Sequence, residues 1–237
     1  MATAQKLRCQ VVRLVDHGEH VYTVELRPER PAPRFRPGQF LHLALDDYDP
    51  SGFWPESRVF SIASAPAQRD LLRISYSARG RFTARMEQEL VAGGQVWVKL
   101  PYGDFVIEDT RDIVLFAGGT GITAFTAFLD GLTPAFRRAV HVAYGARTAD
   151  LLIYRDLLAA RAAAVPQLHV RFFVERGAPS ADWTVGRLSV DALWPHIVAP
   201  GQATYYLSGP PAMLKTLAAD LRSHGISDAA VRIDAWE

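Results

Sequence analysis

A change of rhythm at Pro101-Tyr102-Gly103 constrains this chain more than any other feature. Before it, short apolar runs of strand character follow one another: Leu7–Val15, Val21–Leu26, Phe40–Leu45, Val59–Ala63, Leu72–Ser77 and Val96–Leu100. Pro37-Gly38, Pro50-Ser51-Gly52 and Gly93-Gly94 punctuate them, and Val21–Leu26 alternates with the period of two of a half-buried strand. A helix over about Thr83–Val91 interrupts the series, and the whole predicts a small antiparallel barrel. After the break, the strands Ile113–Ala117, Val140–Tyr144, Leu168–Val174, Thr204–Leu207 and Val231–Ile233 alternate with helical stretches at Ile122–Leu132, Ala149–Ala164 and Pro211–His224. That alternation predicts a parallel sheet covered on both faces. The expected organisation is a barrel over residues 1–106 and an α/β domain over residues 107–237, with the boundary near Val106–Arg111.

Composition narrows the chemistry. With 26 Lys and Arg against 25 Asp and Glu, the formal charge is +1, which gives no reason to expect nucleic acid or an anionic membrane as partner. The single cysteine, Cys9, excludes an internal disulfide framework, and it excludes an iron–sulfur or zinc centre built from this chain's own thiolates. Redox chemistry would therefore need an organic cofactor or an external partner. The opening MATAQKLRCQ has no apolar core of a signal peptide. Ile113–Leu129 carries no charge, but it is short for a span and holds Gly118, Gly119 and Gly121. A strand, a glycine turn and a buried helix explain it better, so a soluble, cytoplasmic protein without membrane insertion is expected. Of the histidines only His17 and His20 lie close together, in an expected hairpin turn with no third ligand, so no metal site is expected.

Gly119-Thr120-Gly121-Ile122-Thr123-Ala124 fits the pattern G-x-G-x-x-G/A directly after a strand and at the opening of a helix. Glycines there let backbone approach a pyrophosphate, and the helix start offers free N–H groups. An ordinary dinucleotide fold also shows an acidic residue about twenty positions on. Here that place holds Gly145-Ala146-Arg147, which points to a relative that holds its nucleotide differently.

Three segments together resemble the ferredoxin–NADP reductase superfamily, in the two-domain form without an iron–sulfur domain. Arg58-Val59-Phe60-Ser61 is similar to its flavin motif Arg-x-Tyr-Ser. Ala117-Gly118-Gly119-Thr120-Gly121-Ile122 is similar to its nicotinamide-nucleotide motif, and Ser208-Gly209-Pro210-Pro211-Ala212-Met213 to its Cys-Gly-Pro-x-x-Met motif. The resemblance implies a Greek-key flavin barrel and a parallel-sheet nucleotide domain. It implies FAD, with NADPH or NADH as donor. In that reading Phe60 packs on the isoalloxazine, Ser61 sits near its N5, and Arg58 reaches a flavin phosphate. Val59, Ile74 and Tyr76 are further flavin contacts, and Gly80, Phe82 and Thr83 open a capped helix that would meet the FAD pyrophosphate.

Gly119, Thr120 and Gly121 would cradle the pyrophosphate of the nicotinamide nucleotide, with Gly209, Pro210 and Met213 bringing a loop beside the nicotinamide. Ser208 stands where the family usually has Cys, and Trp236 would cover the outer flavin face. Arg176 suits a 2′-phosphate, Glu175 suits the ribose hydroxyls of NADH, and Arg147 could serve either nucleotide. The implied activity is hydride transfer from NAD(P)H to bound flavin, with electrons passed on to a ferredoxin, a flavodoxin or an oxygenase component. A free-flavin reductase and a non-catalytic NAD(P)H-binding regulatory module stay open as alternatives. Phe53 and Trp54, in the long loop Asp46–Ser57, could touch an acceptor protein or fold back on the barrel.

Overall fold

A computed structural model describes residues 3–234. The chain divides into two compact units, one running to Val106 and taking in Thr126–Gly131, the other comprising Ile107–Phe125 and the chain from Leu132 onward. No helix among the described residues is long and apolar enough to cross a membrane.

In the first unit the strands are β1 (Gln5–Asp16), β2 (Val21–Pro28), β3 (Phe40–Ala44), β4 (Ser57–Ser61), β5 (Leu72–Ser77) and β6 (Gln95–Tyr102), with helix α1 (Arg81–Glu89) between the last two. They pair antiparallel in the order β4-β3-β6-β1-β2-β5, a Greek-key arrangement. Alternate side chains point inward, so Leu7, Cys9 and Val11 of β1 meet Val24, Leu26, Leu41, Leu43, Ile74 and Val98 in one core. A bulge at Val12 shifts the pairing of β1 on β2 between Val11 and Arg13. The extra residue changes parity, which lets Leu14 continue the inward face. The two ends of the sheet are β4 and β5, and among the described residues no ladder joins them. Beyond β4, the Ala63 N–H donates to the Arg73 carbonyl at 2.8 Å, and the Arg73 N–H donates to Ser64 Oγ at 3.2 Å. The barrel is thus pinned near the start of β5 and open along the rest of these edges.

The second unit holds β7 (Ile113–Gly118), β8 (Val140–Ala146), β9 (Leu168–Val174), β10 (Thr184–Val185), β11 (Thr204–Ser208) and β12 (Val231–Asp234). All run parallel, in the order β10-β9-β8-β7-β11-β12. Helices α2 (Thr123–Gly131), α3 (Arg155–Ala164), α4 (Val190–Leu193) and α5 (Pro211–Ser223) connect them. Every residue of β7 is buried, as expected of a strand covered on both faces. The helix expected from Ala149 begins only at Arg155. The Tyr144 hydroxyl donates to the Leu151 carbonyl at 3.2 Å and holds that segment against the sheet as a short 3-10 turn. Strand β10 and helix α4 are too short to leave a periodic signal in the sequence.

Candidate functional site

Strand β7 lies between β8 on one side and β11 on the other, so the order of the sheet reverses there. In open parallel sheets ligands bind in the crevice outside the carboxyl ends of the strands at such a reversal. The two segments that reach this crevice are the glycine turn after β7 and Ser208-Gly209-Pro210 after β11.

Their glycines divide into two kinds. A Cβ on Gly121 would lie 2.5 Å from the Ser208 carbonyl oxygen and 2.7 Å from the Gly209 nitrogen. A Cβ on Gly118 would lie 2.5 Å from Met213 Sδ, and one on Gly209 would lie 2.6 Å from Met213 Cε and 3.0 Å from the Gly118 nitrogen. Gly121 lies against the backbone of the second loop, Gly118 against the side chains of Met213 and Pro210, and Gly209 against both the Met213 side chain and the Gly118 backbone. Gly119 is different: its φ is +55°, and an added Cβ would meet nothing within 4 Å. Its backbone therefore opens outward, as a pyrophosphate cradle requires. Thr120 is half-buried beside it, and its carbonyl accepts a bond from the Thr123 hydroxyl at 2.8 Å, which secures the first turn of α2.

Ser208 is buried, and its Oγ donates to Asp234 Oδ2 at 2.9 Å. The two are register partners across β11 and β12. Asp234 is itself buried, and motif spacing did not pick out its link to Ser208, since the contact comes from strand register. At the ends of β8 and β9 the Arg176 N–H donates to the Arg147 carbonyl at 2.9 Å, setting these exposed arginines side by side. Glu175 lies 3.8 Å from Arg187, a residue the sequence reading passed over.

In the first unit Phe60 is half-buried on the edge strand β4, its ring 6.1 Å from that of Tyr76 on β5, and Tyr76 stacks on Tyr22 at 5.4 Å. The Tyr76 hydroxyl is buried and has no hydrogen-bond partner among the described residues, and burial pushes its pKa up. Such an orphaned group costs about 1–3 kcal/mol unless a ligand accepts its proton. Arg58 is exposed and, among the described residues, ion-paired to no carboxylate, Val59 and Ser61 are half-buried, and Ile74 is fully buried in the barrel core, which leaves only its backbone for a ligand. The orphaned hydroxyl beside an aromatic wall on an open edge fits a flavin, and the open left-handed Gly119 fits a dinucleotide.

Helix α1 starts at Arg81, two residues before the Thr83 expected to cap it, and Gly80 occupies the cap. Thr83 Oγ1 reaches back to accept from the Gly80 and Arg79 N–H groups at 3.1 and 3.0 Å. Phe82 is buried and anchors the turn, while the first N–H groups of the helix stay outside its own ladder. In the loop before β4, Trp54 folds back: its Nε1 donates to Ser57 Oγ at 2.9 Å and its ring lies 5.4 Å from Tyr48, whereas Phe53 is 99% exposed. Arg81 bridges to Glu56 and Arg85 to Asp46, tying that loop to α1. Trp236 lies outside the described residues. Among the described residues no group of three or more His, Cys, Asp or Glu side chains could hold a metal.

Residues 115–219 match the family described as the oxidoreductase NAD-binding domain. In fold and in the order of its motifs the chain resembles the ferredoxin–NADP reductase superfamily. It is 26% identical over 242 residues to a flavohemoprotein of Bordetella pertussis, covering 96% of this chain and 60% of that protein. It is 27% identical over 223 residues to the reductase component of propane 2-monooxygenase from Mycolicibacterium smegmatis, covering 89% of this chain and 62% of that one. The chain thus spans about three fifths of the length of these relatives. Its structure superposes on a ferredoxin NADP+ reductase from Neisseria gonorrhoeae with bound FAD and NADP at a TM-score of 0.79, with 19% identity and 99% of each chain covered.

Proposed function

We propose that this chain is an NAD(P)H oxidoreductase whose residues 1–106 hold FAD and whose residues 107–237 hold NADH or NADPH, working in the cytoplasm and delivering electrons to an oxygenase component, a ferredoxin or a flavodoxin. Reductase components of oxygenases among its relatives support that choice of acceptor. The observation that carries the reading is the meeting of the glycine turn with Ser208-Gly209 at the reversal of the parallel sheet, packed too closely for any side chain at Gly121. When bound, FAD accepts hydride from the nicotinamide and releases electrons onward.

The chain's own residues bind and orient. Gly119, Thr120 and Gly121 present backbone to the dinucleotide pyrophosphate, while Gly209 and Pro210 border the nicotinamide and Met213 holds the two loops together. Asp234 fixes the rotamer of Ser208, so that a single orientation of its oxygen lies beside the nicotinamide. Phe60 and Tyr76 wall the flavin, Ser61 holds a proton at flavin N5, and Arg58 takes a flavin phosphate through its planar fork. Gly80, Phe82 and Thr83 aim the start of α1 at the FAD pyrophosphate, and Val59 and Ile74 lend backbone along the open edge. Trp236 is the residue that the family resemblance implies for the outer flavin face. Arg147 and Arg176 meet the adenosine end of the nucleotide.

One purification tests this. The visible spectrum is recorded, the flavin extracted and identified, and NADH and NADPH compared as donors to ferricyanide and to added free flavin. Retained FAD with rapid ferricyanide reduction is expected. A colourless protein that reduces only added flavin would make it a free-flavin reductase, and cofactor binding with no reduction of any dye would make it a regulatory module.

A further inference from the structure

The edge of the parallel sheet opposite the glycine turn carries two adjoining depressions, of about 500 and 370 Å³, that share Thr110, Arg111 and Gly201. They lie where β11 and β12 begin and where the segment 107–112 leads into β7, as the lining residues Thr204, Ala230 and Asp112 mark. Strand β7 runs from this edge to the glycine turn, a separation of roughly 15–20 Å at the usual rise per residue.

The lining is rich in donors. Arg111 serves both depressions, Arg232 the larger and Arg138 the smaller. All three are exposed, and none is ion-paired to a carboxylate among the described residues, whereas Arg73, Arg85 and Arg222 each are. Arg232 Nη1 donates to the Ala229 carbonyl at 2.6 Å and the Val231 carbonyl at 3.3 Å, which fixes one side of the guanidinium and leaves its other donors uncommitted. Thr110, Thr204 and Ser227 add hydroxyls to the wall, and the Ser227 oxygen only accepts, from the Ala229 N–H. Gly201 and Gly225 line the larger depression at points where a Cβ would meet nothing within 4 Å, so peptide groups lie bare to it.

Opposing charge comes from Glu108 and Asp112, and Asp112 Oδ1 is already engaged by the Ala139 N–H at 3.0 Å. Unpaired guanidinium forks, hydroxyl donors and uncovered backbone are the elements from which phosphate sites are built, since each phosphate oxygen takes several directed N–H or O–H bonds. We infer that this edge is a second anion site, taking a small phosphate-bearing molecule independently of the nicotinamide nucleotide.

Isothermal titration of the FAD-loaded full chain with inorganic pyrophosphate, in the presence of saturating NAD+, tests the inference. One site per chain is expected. Arg111→Ala should weaken it about tenfold or more, Arg138→Ala and Arg232→Ala less, because only Arg111 reaches both depressions. Melting temperature and ferricyanide reduction by Arg111→Ala should match the parent chain, so a lost site is not a lost fold. Absence of binding, affinity unchanged by Arg111→Ala, or displacement of pyrophosphate by rising NAD+ would each overturn it.

Discussion

At position 121 one methyl group separates a formed crevice from a broken one. The Gly121→Ala methyl would press on the Ser208 carbonyl at 2.5 Å, and because the obstacle is backbone it cannot swing aside. Overpacking of that kind costs about 1–3 kcal/mol, so urea unfolding should shift to lower denaturant and the KM for the nucleotide should rise. Gly119→Ala meets no atom but must hold a left-handed backbone, at roughly 1–2 kcal/mol. Its signature should be a change in nucleotide KM with a smaller shift in stability. Equal losses from both substitutions would contradict the division of roles between the two glycines. Arg187 offers a second test at this scale. It lies 3.8 Å from Glu175 and offsets a carboxylate that would otherwise repel a 2′-phosphate. Arg187→Ala should therefore raise the KM for NADPH more than that for NADH, and an identical effect on both donors would show that Glu175 stands clear of the nucleotide.

Among the elements, α1 depends on a hydroxyl one turn inside it. Thr83→Ala removes the acceptor for the Gly80 and Arg79 N–H groups and should cost about 1 kcal/mol, with faster loss of flavin on dialysis. Thr83→Ser, which keeps the oxygen, should restore both; failure of that rescue would point to packing by the methyl group instead. The same helix shows what sequence can and cannot reveal. Its existence, like that of the barrel strands and the parallel sheet, was legible because apolar spacing and turn residues are local signals. Its first residue was not, since Gly80 and Thr83 both satisfy the cap rules and only the fold selects between them. Ser208 and Gly121 stood out as members of separate motifs, but their contact, and the bond from Ser208 to Asp234, are set by how β7, β11 and β12 register. The Glu175–Arg187 pair was hidden for the same reason, whereas strand β10, only two residues long, is too short to leave any periodicity.

For the molecule as a whole, acid stability should depend on one buried ring. His141 on β8 stacks on His169 at 5.0 Å, and its Nδ1 is buried without a hydrogen-bond partner among the described residues. Burial, then the neighbouring His169, His196 and Arg171 against the opposing Asp112, lower its pKa to about 4. The unfolded chain takes up that proton near pH 6.5 and the folded chain only near 4, so this contribution is intact above about 6.5 and falls away as the pH drops towards 4. His141→Leu should flatten part of that decline in melting temperature, and an unchanged acid limb would assign it to other groups. The locked contact of Gly121 with Ser208 carries a different consequence. On the proposed function, two stretches far apart along the chain make one receptor, so a fragment lacking either should fail to recognise the nucleotide, and a bound nucleotide should restrain both stretches at once. Added NADH or NADPH should therefore slow proteolysis throughout that unit rather than only near the turn, making cofactor occupancy a reporter of intact chains.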